Sequence, residues 1–282
     1  MSIARLMQQA AAGVPTGGGD VWTDPDLANA SYDSVSFSVA GQETAPRALV
    51  FNSNGTKMYL VGTTTDAVYQ YTLSSAFDLS TASYDSVSFS VAGQDTGPTG
   101  LAFSDDGTKM YVCGFQNDRI YQYTLSSAFD LSTASYDTVS FSVAGQDANP
   151  FSIVFNPNGT KLFIVGVSTD TVYQYSLSSA WDLSSASYDS VSLSVSVQDA
   201  TPFSAKFNPD GTKMFLVGNA NDRVFQYTLS TGFDLSTATY DSVSFSVSPQ
   251  DTTPADVAFN DAGSKMYLVG FATKIIYQYS TA

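Results

Sequence analysis

The sequence contains no histidine, the side chain that most often serves as a general base or a metal ligand near neutral pH. Its absence excludes catalytic triads and zinc sites that depend on histidine. Cysteine is nearly absent as well, because Cys113 stands alone and cannot form an internal disulfide. Cys113 occupies a position that is apolar in other copies of the repeat described below. This predicts a small buried residue rather than a nucleophile.

Basic residues are also scarce, with 11 lysines and arginines against 26 acidic residues and a net charge of −15. A chain this acidic is repelled by nucleic acids and by anionic membrane surfaces. No apolar run approaches the ~18 residues that a membrane-spanning helix needs. We therefore expect neither a nucleic-acid partner nor insertion into a membrane.

What the chain does contain is a repeat. The phrase Tyr-Asp-(Ser/Thr)-Val-Ser-(Phe/Leu)-Ser-Val recurs at intervals of 52 residues, beginning at Tyr32, Tyr84, Tyr136, Tyr188 and Tyr240. Self-similarity with a fixed period of this order indicates a propeller, a solenoid or a similar array of one supersecondary unit. Five copies cover residues 30–282, behind a leading segment of residues 1–29.

One copy predicts four strands. An apolar run at residues 47–51 leads through an Asn/Gly turn to a second apolar run at 57–62, and a third strand follows at 68–73. The stretch at 83–91 alternates apolar residues with serine, as a half-exposed outer strand does, whereas the second run is apolar on both faces. Four strands that are buried inside and exposed outside describe a propeller blade.

The two ends of the array are out of phase. The first copy begins with an outer strand at residues 31–39, and the last copy stops after its third strand at 275–279. A ring closes if the first strand completes the last sheet, which removes the exposed edges of an open array. The sequence therefore predicts an all-β, five-bladed β-propeller at residues 30–282, closed by its N-terminal strand, with an arm and linker at 1–29.

The hairpin phrases at residues 155–166 and 207–218 resemble the F-x-P-D-G-x-x-x-Y-V hairpin of YVTN-type propeller repeats. The resemblance covers about a dozen residues of each blade. It implies the propeller fold but says little about activity, because propellers carry many unrelated functions.

The arm resembles something else. Residues 1–13, Met-Ser-Ile-Ala-Arg-Leu-Met-Gln-Gln-Ala-Ala-Ala-Gly, look like the opening peptide of structural proteins from marine bacteriophages. That resemblance implies an extracellular virion, in which residues 1–13 dock onto other virion proteins and several copies join a larger assembly. Ser2 can cap a helix, and a flexible tether follows at 15–19; a disordered leader is the alternative. The docking residues are Ile3, Arg5, Leu6, Met7 and Ala10.

Residues that differ between copies fall in two loop regions, which strand direction places on one rim of the ring. Loops that converge on a rigid scaffold favour ligand binding, although neutral drift would also produce variation. Aromatic rings beside amides and arginines suit stacking on a sugar, and we expect the rings of Phe151 and Phe203 to lie close together. The predicted ligand-binding residues of this variable rim are Arg47, Thr99, Phe151, Phe203, Asp256, Phe115, Gln116, Asn117, Arg119, Asn219, Asn221, Arg223 and Phe271.

One acidic residue recurs in every copy, at Glu43, Asp95, Asp147, Asp199 and Asp251. A ring of carboxylates could hold a hard cation such as Ca²⁺, or each could accept hydrogen bonds from the amides of the following loop. We adopt the second interpretation, and expect no metal and no other cofactor.

Hydrolysis of a glycoside by a five-bladed propeller would need unlike carboxylates around the axis. Here the acids recur identically, and only Asp256 is peculiar to its copy. We therefore predict a non-enzymatic virion component, either a tail fibre or a capsid-attached module, whose rim recognises a host-surface glycan or a protein. The alternatives are a purely structural decoration module and a secreted bacterial sugar-binding propeller.

Overall fold

The structure is a computed structural model that describes residues 22–282. These residues form five four-stranded antiparallel sheets, and no helix among them is both long and apolar enough to cross a membrane. The prediction of an all-β, five-bladed propeller is thereby confirmed. The strands are β1 (Ser31–Ser38), β2 (Pro46–Phe51), β3 (Lys57–Gly62), β4 (Ala67–Leu73), β5 (Ala82–Ser90), β6 (Pro98–Phe103), β7 (Lys109–Gly114), β8 (Arg119–Leu125), β9 (Ala134–Ser142), β10 (Pro150–Phe155), β11 (Lys161–Gly166), β12 (Thr171–Leu177), β13 (Ala186–Ser194), β14 (Pro202–Phe207), β15 (Lys213–Gly218), β16 (Arg223–Leu229), β17 (Ala238–Ser246), β18 (Pro254–Phe259), β19 (Lys265–Gly270) and β20 (Ile275–Ser280).

Four blades follow the chain directly, with strand orders β2-β3-β4-β5, β6-β7-β8-β9, β10-β11-β12-β13 and β14-β15-β16-β17. The fifth blade has the order β18-β19-β20-β1, so the first strand of the chain completes the last sheet. Tyr32 pairs with Tyr279 and Phe37 with Ile276 across this junction. Lys265 reinforces it through a salt bridge of 2.6 Å to Asp33.

The closure extends further towards the N-terminus than the predicted boundary at residue 29. Trp22 packs edge-on against Phe259, with ring centroids 6.3 Å apart, and the Thr23 amide donates to the Ala262 carbonyl at 2.9 Å. Leu27 is buried. A three-residue 3₁₀ helix precedes each outer strand, at Leu27–Asn29, Leu79–Thr81, Leu131–Thr133, Leu183–Ser185 and Leu235–Thr237. The segment before β1 therefore has the same structure as the connection before the outer strand in the other blades.

The predicted docking helix lies outside the described residues. Its members, Ile3, Arg5, Leu6, Met7 and Ala10, all precede residue 22, and the prediction of a docking arm stays a prediction.

The Asn/Gly turns require glycine for two reasons. Gly55 has φ +68°, a left-handed conformation that side chains with a Cβ rarely adopt. A Cβ at this position would lie 2.2 Å from the ring of Phe77, which folds over the turn. Phe77 in turn packs on Phe51, with centroids 5.4 Å apart, and so fixes one end of the blade.

The core lies between the blades rather than within them. In one cluster, Tyr59 and Val68 of the first blade are fully buried against Met110 and Tyr123 of the second. Each of the five clusters joins neighbouring blades, because a sheet that is apolar on both faces must be covered on both. Cys113 is fully buried in such a cluster, as its apolar position predicted. Burial raises the pKa of its thiol.

A salt bridge repeats in every blade beside the outer strand. Lys57 contacts Asp85 at 2.7 Å, and the equivalent pairs are Lys109–Asp137, Lys161–Asp189, Lys213–Asp241 and Lys265–Asp33. Burial alone would raise the pKa of Asp85, but hydrogen bonds from Lys57, Thr72 and Gln70 outweigh it and hold the pKa below 3.8. These acids are therefore part of the scaffold.

Candidate functional site at the axial channel

The five inner strands β2, β6, β10, β14 and β18 surround the axis of the ring. The pairing of each with its neighbour slips by one residue just after the first proline, as between Pro46 and Ala48. A bulge of this kind re-aims side chains at the end of a strand. The residues that follow the bulge contact one another from blade to blade, and we call the region that they surround the axial channel.

Aromatic residues and one arginine gather at the end of this channel where the inner strands begin. Phe115, Phe151 and Phe203 form a row of nearly parallel rings, with centroids 6.3 Å apart for the first two and 4.6 Å for the last two. The guanidinium carbon of Arg47 lies 4.2 Å from the ring centroid of Phe271 and 5.1 Å from that of Phe151. We call these five residues the channel mouth.

Arg47 holds a charge that is only partly compensated. It is half-buried, and burial lowers the pKa of its guanidinium while the charge of Glu43 acts in the opposite direction. Within residues 22–282 it forms no salt bridge, and its Nε is buried without a hydrogen-bond partner. Three phenylalanine rings supply cation–π contact, which leaves a directional N–H donor unused.

A second group of polar residues lines the channel further along the inner strands. The Ser204 hydroxyl donates to Oδ1 of Asp256 at 2.5 Å, and the Ser152 and Ser204 hydroxyl oxygens are 3.4 Å apart. Lys206 Nζ lies 3.2 Å from the same Oδ1. The other oxygen of Asp256 accepts the Leu49 amide at 2.8 Å. We call Ser152, Ser204, Lys206 and Asp256 the axial cluster.

The axial cluster breaks the fivefold repeat. The position of Asp256 holds Ala48, Gly100, Ser152 and Ser204 in the other blades, and the position of Lys206 holds Val50, Ala102, Val154 and Ala258. Asp256 is 1% exposed, so its charge is enclosed and must be compensated by its neighbours. Sequence reasoning singled out Asp256 but missed Lys206 and the serines, although a lysine at an otherwise apolar position was a visible signal.

The remaining residues of the predicted variable rim do not join the mouth. Arg119 and Arg223 donate to Ser140 and Ser244 on outer strands, away from the channel. Asn117 and Asn221 brace loops by donating to the carbonyls of Gln94 and Gln198, as do the backbone amides of Asn219, to the Thr201 carbonyl, and Gln116, to Asp95. Thr99 is buried and donates to the Pro150 carbonyl on the inner strand of the next blade.

The recurring acids are engaged with the loops. Asp95 accepts the amides of Gly97 at 2.8 Å and Asn117 at 3.1 Å, and Glu43 accepts those of Ala45 and Thr65. Each of these acids is buried. Within residues 22–282 no group of three or more potential metal ligands is found. The hydrogen bonds account for this ring of acids, in line with the loop-amide interpretation.

The same end of the ring carries further half-buried acids. Asp66, Asp118 and Asp222 have left-handed backbone conformations, and one buried carboxylate oxygen of each has no hydrogen-bond partner among the described residues. Burial, and then neighbouring carboxylates such as Glu43 and Asp95, raise the pKa of Asp66. Several carboxylates therefore lie at the same end of the ring as the mouth.

Two surface grooves lie elsewhere. A groove of about 590 Å³ lies between the third and fourth blades and includes Lys161, Gln174 and Asp189. The side chains of Lys161 and Gln174 both donate to Asp189, and the side-chain oxygen of Gln174 accepts the backbone amide of Leu235 in the next blade. Because these groups satisfy one another and recur in each blade, we assign the groove a structural role and place the candidate site at the channel.

Fold and channel together define a β-propeller with a chemically asymmetric axis. The profile of the family described as lactonase, 7-bladed beta-propeller, matches residues 26–182, which is more than half of the chain. The chain belongs to this family, although the described residues form five blades. Arg47 and Ser152 lie within the matched segment, whereas Lys206 and Asp256 follow it.

Solved structures show the same fold at low identity. A protein from Bacteroides uniformis ATCC 8492, provisionally described as a 6-phosphogluconolactonase, is 14% identical with a TM-score of 0.52; 82% of this chain and 65% of that one are covered. A protein from Bacteroides fragilis NCTC 9343 with the same provisional description is also 14% identical, with a TM-score of 0.51 and the same coverage. This chain thus spans about 65% of the length of these neighbours. No curated protein matches the chain.

These findings correct two predictions. The interpretation as a non-enzymatic phage virion component is wrong, because the chain belongs to a lactonase family and its structural neighbours carry lactonase descriptions. The prediction that it is not an enzyme is wrong for the same reason, since the family points to a hydrolase. The repeated acids misled because they belong to the scaffold, whereas the charged residues that differ between copies lie at the axis.

Proposed function

We propose that the protein hydrolyses a lactone, a cyclic ester, at the channel mouth. One observation carries the proposal. Three charged residues that interrupt the fivefold repeat, Arg47, Lys206 and Asp256, all lie at the axis of a propeller whose family is that of the lactonases. Enclosing charged residues costs free energy and is not needed for similar blades to pack together. The convergence of unlike charges at the axis therefore favours a chemical role.

Opening a lactone with water needs a donor for the oxygen that becomes negative and an acceptor for the proton of the attacking water. Arg47 supplies the donor. Its guanidinium stays charged at neutral pH and is only half-buried, so its accessible N–H groups can donate to a substrate at the mouth. In a partly buried site such a hydrogen bond to the carbonyl oxygen strengthens as negative charge develops in the transition state.

The axial cluster supplies the proton acceptor. A water beside Ser152 attacks the carbonyl carbon and passes its proton to the Ser152 hydroxyl. That hydroxyl passes one to Ser204, and Ser204 passes its own to Oδ1 of Asp256, which it already contacts at 2.5 Å. When the ring C–O bond breaks, the proton returns along the same hydroxyls to the leaving alkoxide. Lys206 stabilises the Asp256 carboxylate between turnovers.

The test compares two arginines at the same end of the ring. Arg47→Thr introduces the residue that the second blade carries at this position, and it removes the proposed oxyanion donor. We expect kcat/KM for lactone hydrolysis, followed by base uptake at constant pH, to fall by roughly 10²–10³. Arg119→Thr is the matched control, because Arg119 binds the outer strand and should leave kcat/KM within about twofold. Full activity of Arg47→Thr would refute the assignment.

A further inference from the structure

The channel mouth offers mainly aromatic surface to a ligand. Phe115 and Phe271 are half-buried, whereas Phe151 and Phe203 are almost wholly enclosed behind them. Gly97 lets Phe115 lie flat on the loop, since a Cβ there would be 2.6 Å from its ring. Exposed ring surface of this kind stacks favourably on a planar apolar group.

The mouth is poorly suited to a phosphate. Recognition of a phosphate group normally uses several charged donors, often in bidentate geometry. Here Arg47 is the one cation at the described mouth, and it faces Phe271. The nearest alternatives are engaged elsewhere, because Arg119 and Arg223 donate to the outer strands and Lys274 donates to the Ala272 carbonyl.

The surrounding charge acts against an anion as well. Glu43 and Asp95 lie under the loops of the mouth and accept their amides. Burial first, and then the charges of nearby buried acids, raise the pKa of Asp66, Asp118 and Asp222. Like charges at short range repel one another, and they do so more strongly where the site is partly buried than in water. A dianionic substrate would meet this repulsion with one compensating cation.

From this balance we propose that the preferred substrate is an uncharged lactone that carries a planar apolar ring, rather than a phosphorylated sugar lactone. The inference rests on the proposed lactone hydrolysis. Arg47 binds the lactone carbonyl, and the substituent stacks on the exposed surfaces of Phe115 and Phe271. The substrate class therefore differs from the one in the descriptions of the structural neighbours.

The experiment uses two matched pairs of lactones with the full-length protein. The first pair is γ-phenyl-γ-butyrolactone and γ-butyrolactone, which differ by the planar ring. The second is 6-phosphogluconolactone and gluconolactone, which differ by the phosphate. Each kcat/KM is divided by the rate constant for spontaneous hydrolysis of the same compound, so that intrinsic reactivity cancels.

We expect the phenyl group to raise the normalised kcat/KM roughly tenfold, and the phosphate to lower it at low ionic strength by an amount that shrinks as salt is added. Phe115→Leu should reduce the phenyl preference, while Gln116→Ala, on the same loop, should preserve it. A faster reaction with the phosphorylated lactone than with gluconolactone would overturn this inference and leave lactone hydrolysis standing. Absence of hydrolysis for all four compounds would overturn both.

Discussion

A chain that lacks residues 22–40 is expected to lose the cooperative unfolding transition of the whole domain. The deletion removes β1, and with it the outer strand of the fifth blade and the salt bridge between Asp33 and Lys265. It also removes buried Leu27 and leaves β20 as an unpaired edge. Because each core cluster is shared between blades, damage to the fifth blade exposes both of its neighbours. Circular dichroism and calorimetry would measure the loss.

Two further variants distinguish the loss of ring closure from a general effect of shortening the chain. A chain without residues 1–19 keeps every contact described here and should melt as the full chain does. A permutant that carries residues 23–40 after Ala282 should regain the transition, since the Asp26 amide already donates to the Thr281 carbonyl at 2.8 Å. A wild-type transition in the chain lacking 22–40 would contradict the closed ring.

The second large effect is expected at Asp256. Asp256→Ala leaves the Lys206 ammonium, the Ser204 hydroxyl and the Leu49 amide without their acceptor in an enclosed channel. Breaking a buried pair on one side typically costs about 3–5 kcal/mol. Because the Lys206 side chain is 17% exposed and can reach some water, we expect about 3 kcal/mol from urea denaturation.

The repeat supplies the control for this prediction. The double variant Lys206→Val/Asp256→Ser installs the residues that the third blade carries at the same two positions, Val154 and Ser152. It removes both charges together, so we expect it to lose less than about 1 kcal/mol of stability. Equal losses for the single and the double variant would show that the charge pair is not what makes Asp256 important to the fold.

The period and the phase of the repeat were sufficient to predict the ring. Tyr32 opens a strand with no inner strands before it, and β20 ends without an outer one, so closure followed from the sequence alone. The burial of Leu27 could have been predicted, because Asp26-Leu27 before Ala30 repeats the pattern of Asp78-Leu79 before Ala82. The packing of Trp22 could not, since it lies outside that match. A local capping aspartate, Asp26, was the available signal for Leu27.

The site was harder to predict, for a physical reason. Comparison of the copies shows which positions vary, but it does not show how deep a position lies or where a bulge turns its side chain. Arg119 and Arg223 stand at positions that vary between copies, yet their side chains donate to the outer strands and not to the channel. Lys206 and Ser204 sit within an inner strand and were not selected as site residues, and the register slip after Pro202 brings Ser204 to Asp256.

The function was mispredicted because a short resemblance at residues 1–13 outweighed a weak signal spread over many residues. Membership of the lactonase family rests on a match over residues 26–182. An acidic composition and the absence of histidine were correctly observed, but they exclude particular mechanisms rather than catalysis itself.

The central claim, that unlike charges in the axial channel make this propeller a lactone hydrolase, has one direct test. The triple variant Arg47→Thr/Lys206→Val/Asp256→Ser uses residues that other blades carry at the same positions, and its folding is first matched to wild type by calorimetry. Base uptake at constant pH then measures lactone hydrolysis by both proteins. The account predicts turnover by wild type and only the spontaneous rate with the triple variant. Equal rates for the two proteins, or no hydrolysis by wild type above the spontaneous rate, would contradict it.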